Sequence, residues 1–177
     1  IERLLTHLEP HVSRVVVCVG YRADDIRAAL RHRAGQDIAF SDAGENADMG
    51  VRLIRAKEEH GIDDRCLICY GDELANVNLD ALISHHERVS ASMTFTVCRQ
   101  RIPFGTVHGG RIFDDEDVLV NIGFVLVEPW AWRWVKLGDG LVDSINRAEG
   151  TSFYVHEGRR ATVNSLAELE QAEGVWA

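Results

Sequence analysis

The chain has 177 residues, of which 46% are hydrophobic and 27% are charged, and its net charge is −9. This balance is that of an ordinary single globular domain, and it excludes a disordered tail, a collagen-like fibre and a coiled coil. Proteins that bind the nucleic-acid backbone usually present a basic face, so the charge argues against nucleic acid as the main partner. The longest apolar runs fall far short of the roughly 20 residues that a membrane span needs.

The first half of the chain alternates strand-like and helix-like segments. The β-branched or apolar runs RVVVCVG and RCLICY are typical of strands buried on both faces. This rhythm predicts a mainly parallel sheet with helices on both faces, which binds ligands at the carboxyl ends of its strands. The predicted elements are a helix over 1–8, a strand over 14–20, a helix over 24–32, a strand over 36–41, a helix over 50–60, a strand over 65–70, a helix over 78–89 and a strand over 92–98.

The second half has a different pattern. Its predicted elements are a hairpin over 106–113 that turns at Gly109-Gly110, a strand over 119–127, a tryptophan-rich helix over 130–135, strands over 152–156 and 160–164, and a helix over 166–173. The fold class that we predict is α/β: one domain over 1–177, with a three-layer α/β/α arrangement, a mainly parallel sheet and a small antiparallel insertion.

All four cysteines lie in apolar, strand-like stretches, where free cysteine behaves as a small hydrophobic residue. Cys66 and Cys69 have the C-x-x-C spacing of redox and zinc sites. In an extended strand, however, residues three apart point to opposite faces, so we expect this pair to pack rather than to bind metal. No basic-then-apolar signal segment opens the chain, which favours the reducing cytoplasm.

The strongest local signal for chemistry is Tyr70-Gly71-Asp72 at the end of a buried strand. A carboxylate at that position projects into the ligand crevice, and the glycine lets a phosphate or ribose approach the backbone. A single aspartate holds Mg²⁺ only when phosphate oxygens and water complete the coordination shell.

Several segments in a fixed order resemble the sugar-1-phosphate nucleotidylyltransferase family. They are YGDELANVNLDALISHH, SMTFTVCR, PFGTV and VNIGFVLVEP, and the resemblance covers nearly the whole chain. The opening block IERLLTHLEPHVSRVVVCVGYRADDIRAAL looks like the segment that follows the family's glycine-rich signature loop. The Y-G-D, the N-V-N after it and the M-G-V-R at 49–52 are closest to the branch that acts on CTP, as in glucose-1-phosphate cytidylyltransferases, and are similar to the heptose-phosphate guanylyltransferase branch.

This resemblance implies a Rossmann-like nucleotide-diphospho-sugar transferase fold and a role in nucleotide-sugar biosynthesis. A sugar phosphate would attack the α-phosphorus of a nucleoside triphosphate in line and release pyrophosphate, with CMP or GMP as the favoured group and Mg²⁺ as the cofactor. Asp72 matches the family's catalytic, metal-binding aspartate. The positions that match substrate-binding ones are Gly50 and Arg52 near the nucleobase, Tyr70 and Gly71 beside the aspartate, and Gly105, Asn121 and Gly123 around the sugar.

The sequence departs from the family's pattern in three ways. The glycine-rich loop that cradles the triphosphate is absent; because the chain starts at Ile1 and not at methionine, we expect that loop in a preceding segment and no turnover by this stretch alone. The sugar-phosphate lysine has no counterpart, and the acidic run at 114–117 would repel a phosphate. The second metal carboxylate falls on Asn164, or on Thr162 if the alignment shifts.

Two alternatives remain open on the sequence. One is a degenerate homologue that binds a nucleotide or sugar phosphate without turnover, as a regulatory or scaffolding module. The other is a metal-dependent glycosyltransferase using Asp72 with Glu73, although that class usually has one residue between its two acids. A homo-oligomer is also possible, with an interface at the helix that carries Trp130 and Trp134.

Overall fold

The computed structural model describes residues 1–33, 35–102, 105–113 and 117–176. The helices in these ranges are α1 (Glu2–Leu8), α2 (Ala23–Ala29), α3 (Met49–His60), α4 (Leu79–Val89), α5 (Leu141–Arg147) and α6 (Leu166–Trp176). The strands are β1 (Val15–Val19), β2 (Ile38–Asp42), β3 (Cys66–Ile68), β4 (Glu73–Ala75), β5 (Met93–Arg101), β6 (Thr106–His108), β7 (Arg111–Phe113), β8 (Asp117–Val127), β9 (Thr151–His156) and β10 (Arg160–Thr162). Short 3-10 turns occupy Arg31–Arg33 and Pro129–Trp134.

The largest sheet has the strand order β3-β8-β5-β9 and is mixed. Strand β8 is antiparallel to both β3 and β5, whereas β5 and β9 are parallel. The prediction of a mainly parallel sheet is therefore wrong for this part of the molecule. The physical reason is that β8 enters the sheet directly from the β6–β7 hairpin, and without a crossover helix a returning strand pairs antiparallel.

Helices pack against both faces of this sheet, which confirms the α/β class. Side chains of β8 alternate between two buried clusters. Ile122 and Phe124 belong to the cluster that contains leucines of α1 and α4. Val125 and Val127 belong to the cluster that contains Leu53 of α3 together with apolar residues of α5. The alternation follows from the two-residue period of a strand.

Two helices bridge the parallel β1–β2 pair and the four-stranded sheet. In α1, Leu5 packs with β1, while Leu4 and Leu8 pack in the core of the larger sheet. Helix α3 contacts β1 and β2, and its Leu53 packs in the cluster on the other face of the larger sheet. Among the described strands, β1 pairs only with β2, and β3 pairs only with β8. The sequence predicts that β1 is buried on both faces, but Cys18 in this strand is exposed.

Most of the predicted elements form where the sequence places them. Two elements were not predicted, the three-residue strand β4 and helix α5, and the tryptophan-rich segment is a 3-10 turn rather than an α-helix. None of the helices in the described ranges is long and apolar enough to span a membrane.

Candidate active site

The segment between β3 and β4 lies where the four-stranded sheet meets the smaller β4–β10 pair. The backbone N–H of Tyr70 donates to the carbonyl oxygen of Gly123, at 3.2 Å, which ties the segment to β8. The N–H of Val163 donates to the carbonyl oxygen of Asp72, at 2.8 Å, which ties it to the residues after β10. Asp72 and Asn164, which are far apart in sequence, are therefore brought to the same edge.

Both of these side chains are exposed at that edge. The position of Asn164 is set by the start of α6. Its backbone N–H donates to Oε2 of Glu168, at 2.8 Å, and Ser165 caps the helix by accepting from the N–H of Glu168. A Cβ built on Gly71 would meet nothing within 4 Å, so the space beside the backbone at Gly71 is open to a ligand.

Glu73 lies next to Asp72 in sequence but is held in a separate network. The residue is only 7% exposed, and its two carboxylate oxygens accept from Nε and Nη2 of Arg160, both at 3.1 Å. The hydroxyl of Thr162 donates to Oε1 of Glu73, at 2.8 Å. These contacts remove Glu73 and Thr162 from the candidate metal ligands, because their oxygens already serve the ion pair. The glycosyltransferase alternative loses its second acid, and the alignment that puts Thr162 beside the metal loses its support.

Tyr70, Asn121 and Gly123 form one contact unit. The register between β5 and β8 shifts from Phe95 opposite Val125 to Val97 opposite Asn121, which marks a bulge in β8. Gly123 lies in this bulge with φ of +73°, and its N–H donates to Oδ1 of Asn121, at 3.0 Å.

A Cβ at Gly123 would lie only 2.5 Å from Cγ of Tyr70, so the ring of Tyr70 packs directly on the glycine. Burial raises the pKa of the Tyr70 phenol, although a hydrogen bond with Asn121 acts in the opposite direction. Tyr70 is therefore a neutral hydrogen-bonding group at physiological pH.

Gly50 and Arg52 lie in the first turns of α3 and are engaged by the protein itself. The N–H of Gly50 donates to the carbonyl oxygen of Asp139, at 2.9 Å, and a Cβ there would overlap the carbonyl of Lys136. Gly50 thus lets α3 pack closely on the turn at 136–139. Arg52 donates to backbone carbonyls before and after β2. A direct contact of either residue with a nucleobase stays a prediction.

The remaining predicted residues lie near the hairpin. Gly105 has a φ of +75°, and its N–H donates to the carbonyl of Ile102, at 3.1 Å. Its neighbours Pro103 and Phe104, and residues 114–116 of the acidic run, lie outside the described residues. Whether Gly105 lines the same pocket as Asn121 and Gly123 stays a prediction.

Sequence reasoning missed Arg160, the residue that fixes the strand after Asp72. Besides Glu73, its guanidinium contacts Oε1 of Gln100, at 3.1 Å, and so links β4, β5 and β10. The available signal was indirect: an acid directly after a buried strand needs a cation if it faces inward, and RAT at 160–162 alternates as a strand does.

Comparison with known proteins finds relatives by sequence but no matching family model. A Bacillus subtilis protein named "Probable glucose-1-phosphate cytidylyltransferase" is 28% identical over 152 residues, which are 78% of this chain and 59% of that protein. The "Bifunctional protein GlmU" of Synechococcus elongatus is 32% identical over 120 residues, which are 65% of this chain and 25% of that protein. The chain thus spans less than two thirds of the length of these relatives.

Solved structures share the fold at low sequence identity. HddC from Yersinia pseudotuberculosis superposes with a TM-score of 0.78 at 13% identity, over 99% of this chain and 84% of that one. HddC complexed with GMP-PN gives a TM-score of 0.77 at 12% identity, with the same coverage of both chains. The chain is therefore similar in sequence to proteins named glucose-1-phosphate cytidylyltransferase and GlmU, and it shares the fold of HddC.

Proposed function

We propose that the protein transfers a nucleotidyl group from a nucleoside triphosphate to a sugar 1-phosphate or a similar phosphate. An oxygen of the acceptor phosphate attacks the α-phosphorus in line, and the bond from that phosphorus to pyrophosphate breaks. The observation that carries the proposal is the backbone pairing that brings Asp72 and Asn164 to one edge, next to Tyr70 and Gly123. The reaction asks little covalent chemistry of the protein, which aligns two polyanions and offsets their charge.

The nucleotide that we propose is CTP or GTP, giving transfer of CMP or GMP. The name of the Bacillus subtilis relative supports the first, and the neighbour complexed with GMP-PN supports the second. The product would be a nucleotide sugar, so the protein would act in nucleotide-sugar biosynthesis.

Asp72 and Asn164 would hold Mg²⁺. A carboxylate and an amide oxygen exposed at one edge fit a cation that prefers oxygen ligands and usually takes only one or two carboxylates from the protein. Among the described residues, no three His, Cys, Asp or Glu side chains gather as a metal cluster, so phosphate oxygens and water would supply the other ligands. When bound, the ion would neutralise charge on the triphosphate. The neutral amide of Asn164 lowers the expected affinity for the ion.

The acceptor pocket that we propose is formed by Tyr70, Asn121 and Gly123, with Gly105 at its border. The neutral phenol of Tyr70 and the amide of Asn121 are suited to hydrogen-bonding sugar hydroxyls. Gly71 leaves its backbone open to the triphosphate, because nothing lies within 4 Å of the position a Cβ would occupy.

The free edges of β1 and β3 support a further part of the proposal. Helices α1 and α3 pack across both sheets from opposite sides. Strand β1 pairs with β2 on one edge and β3 pairs with β8 on one edge, and the other edge of each strand has no partner among the described strands. A strand preceding α1 would fit between them and make α1 the crossover helix of a β–α–β unit. Its carboxyl end would bring a triphosphate-binding loop to the same edge as Asp72. Without that loop, residues 1–177 would give no turnover.

Cytoplasmic location and self-association remain predictions. The four cysteines are free, which suits a reducing compartment. Trp130 is half exposed, and the guanidinium of Arg133 stacks between Trp130 and Trp134, at 5.4 and 4.4 Å from the ring centres. A second copy of the chain would cover this aromatic surface.

Isothermal titration of the full-length protein with CTP, GTP, UTP and dTTP, each with and without Mg²⁺, tests the proposal. We expect selective, Mg²⁺-dependent binding that Asp72→Asn weakens. Asp64→Asn is the matched control, because Asp64 is also exposed but precedes β3, whereas Asp72 follows it. Binding that ignores both the metal and Asp72 would favour a degenerate module without turnover. Pyrophosphate release by the 177-residue chain alone would contradict the need for a further loop.

A further inference from the structure

The guanidinium of Arg52 donates hydrogen bonds to four backbone carbonyl groups. Its Nη1 donates to the carbonyl of Val19, at 2.9 Å, and its Nε donates to that of Ala47, at 3.0 Å. Its Nη2 donates to the carbonyls of Gly44 and Glu45, both at 3.0 Å. One side chain therefore joins the last residue of β1 to the loop at residues 43–48, which connects β2 to α3.

The surroundings of this contact are built to admit the guanidinium. A Cβ on Gly20 would lie 2.8 Å from Nη1 of Arg52 and 2.7 Å from the carbonyl oxygen of Gly44. Only glycine at position 20 therefore lets the end of β1, the guanidinium and the 43–48 loop approach this closely. The loop is tied at its start as well, since the N–H of Gly44 donates to Oδ1 of Asp42, at 3.0 Å.

The charge of Arg52 is not matched by a carboxylate. Neighbouring arginines form ion pairs, Arg27 with Asp42 at 3.1 Å and Arg55 with Glu59 at 2.6 Å. Arg52 makes no ion pair with any of the described residues. Its positive charge therefore persists at the carboxyl end of β1, and the four carbonyl oxygens that it binds are turned toward it. Both effects offset part of the negative potential that Glu45 and Asp48 of the same loop contribute there.

We propose that Arg52 is a positioning residue that holds the 43–48 loop against the end of β1, so that a nucleoside triphosphate meets a pre-formed wall. This inference rests on the proposed function. In this role Arg52 acts through the loop, and the inference needs no contact between its guanidinium and the base. Lysine cannot replace it, because a single ammonium on a flexible stem lacks the planar fork that reaches carbonyls on three sides.

Two measurements on the full-length protein test the inference. Hydrogen exchange without nucleotide reports the loop, and titration with CTP and GTP reports binding. We expect the amide of Gly44, whose N–H donates to Asp42, to exchange at least about tenfold faster in both Arg52→Lys and Arg52→Met, since local opening follows the lost contacts. We expect nucleotide affinity to fall about tenfold, because a loop that is ordered in only about one tenth of the molecules raises the apparent Kd tenfold. Arg55→Met, an exposed arginine one turn later, should change neither.

Rescue separates positioning from a general loss of stability. Millimolar guanidinium ion should restore loop protection and nucleotide affinity in Arg52→Ala and leave wild type and Arg55→Met unchanged. Full affinity in Arg52→Lys, or loop exchange equal to wild type in Arg52→Met, would overturn the inference. A wild-type protein that binds neither nucleotide would overturn the proposed function and the nucleotide part of this inference, whereas the exchange measurement would still decide whether Arg52 holds the loop.

Discussion

Replacement of Gly123 by alanine tests the packing of Tyr70 at the candidate site. Alanine at a positive φ such as the +73° of Gly123 costs about 1 kcal/mol or more in backbone strain. The added Cβ would lie 2.5 Å from Cγ of Tyr70, whereas carbon atoms rest at about 3.5–4.0 Å, so the ring has to move by about 1 Å. Overpacking of this kind costs roughly 1–3 kcal/mol. We expect a total loss of about 3 kcal/mol in the free energy of unfolding.

Gly61→Ala is the matched control for this substitution. Gly61 also has a positive φ, of +60°, but a Cβ there would meet nothing within 4 Å. It should therefore show the strain alone, about 1 kcal/mol. Urea denaturation followed by circular dichroism measures both variants. Equal losses in Gly61→Ala and Gly123→Ala would refute the claim that the ring packs on the glycine.

A double-mutant cycle with Tyr70→Ala isolates the steric part. Once the ring is removed, Gly123→Ala should cost only the strain, so the two substitutions should couple by about 2 kcal/mol. Additive losses would contradict the contact. Because the ring also shares a hydrogen bond with Asn121, Gly123→Ala should raise the KM for the acceptor phosphate in an active preparation.

Two further predictions concern groups that hold the site in place. Arg160→Met should lower the free energy of unfolding in urea by about 3–5 kcal/mol, because it leaves the buried carboxylate of Glu73 unpaired; a loss below about 1 kcal/mol would mean that the pair is not needed. Burial alone would raise the pKa of Glu128, but hydrogen bonds from His86 and Arg65 outweigh it, so the pKa lies below its ordinary value. A carboxyl group whose pKa is lower in the folded state stabilises the fold above its ordinary pKa, and this stabilisation is lost as the pH falls through the folded-state pKa. Glu128→Gln should therefore flatten the decline in stability below about pH 4.5, and an unchanged decline would contradict the assignment.

The buried strands were predictable because their side-chain pattern is local. The continuous apolar runs that became β1 and β3 fix both their type and their place. The C-x-x-C spacing was also interpreted correctly: Cys66 packs in the cluster on one face of the sheet and Cys69 in the cluster on the other. Burial raises the pKa of both thiols, that of Cys66 to about 12, which disfavours the thiolate that redox and metal sites need.

The short strand β4 was not predictable from local pattern. Glutamate and alanine are poor strand residues, and Glu73–Ala75 forms a strand only because Arg160 pairs with Glu73 and β10 lies alongside. Such a pairing between residues distant in sequence leaves no spacing signature. The antiparallel entry of β8 was missed for a related reason, since a long apolar strand has the same composition in either direction.

The sequence predicts residues for the candidate site but not how they are arranged. The order of the motifs predicts Asp72, Asn121, Gly123 and Asn164 as site residues. In the structure, Asp72 and Asn164 lie at one edge, and Gly123 packs against the ring of Tyr70. The four carbonyls around Arg52 had no signal, because the direction in which a loop carbonyl points depends on the tertiary fold.

The central claim is a metal-dependent nucleotide site at Asp72 and Asn164, and a Mg²⁺ titration of nucleotide binding in two opposite variants tests it most directly. Asp72→Asn removes the only carboxylate that we assign to the ion, so CTP or GTP binding should lose its dependence on Mg²⁺. Asn164→Asp adds a second carboxylate at the same edge, so half-maximal binding should require about tenfold less Mg²⁺. A Mg²⁺ requirement unchanged in both variants would contradict the account.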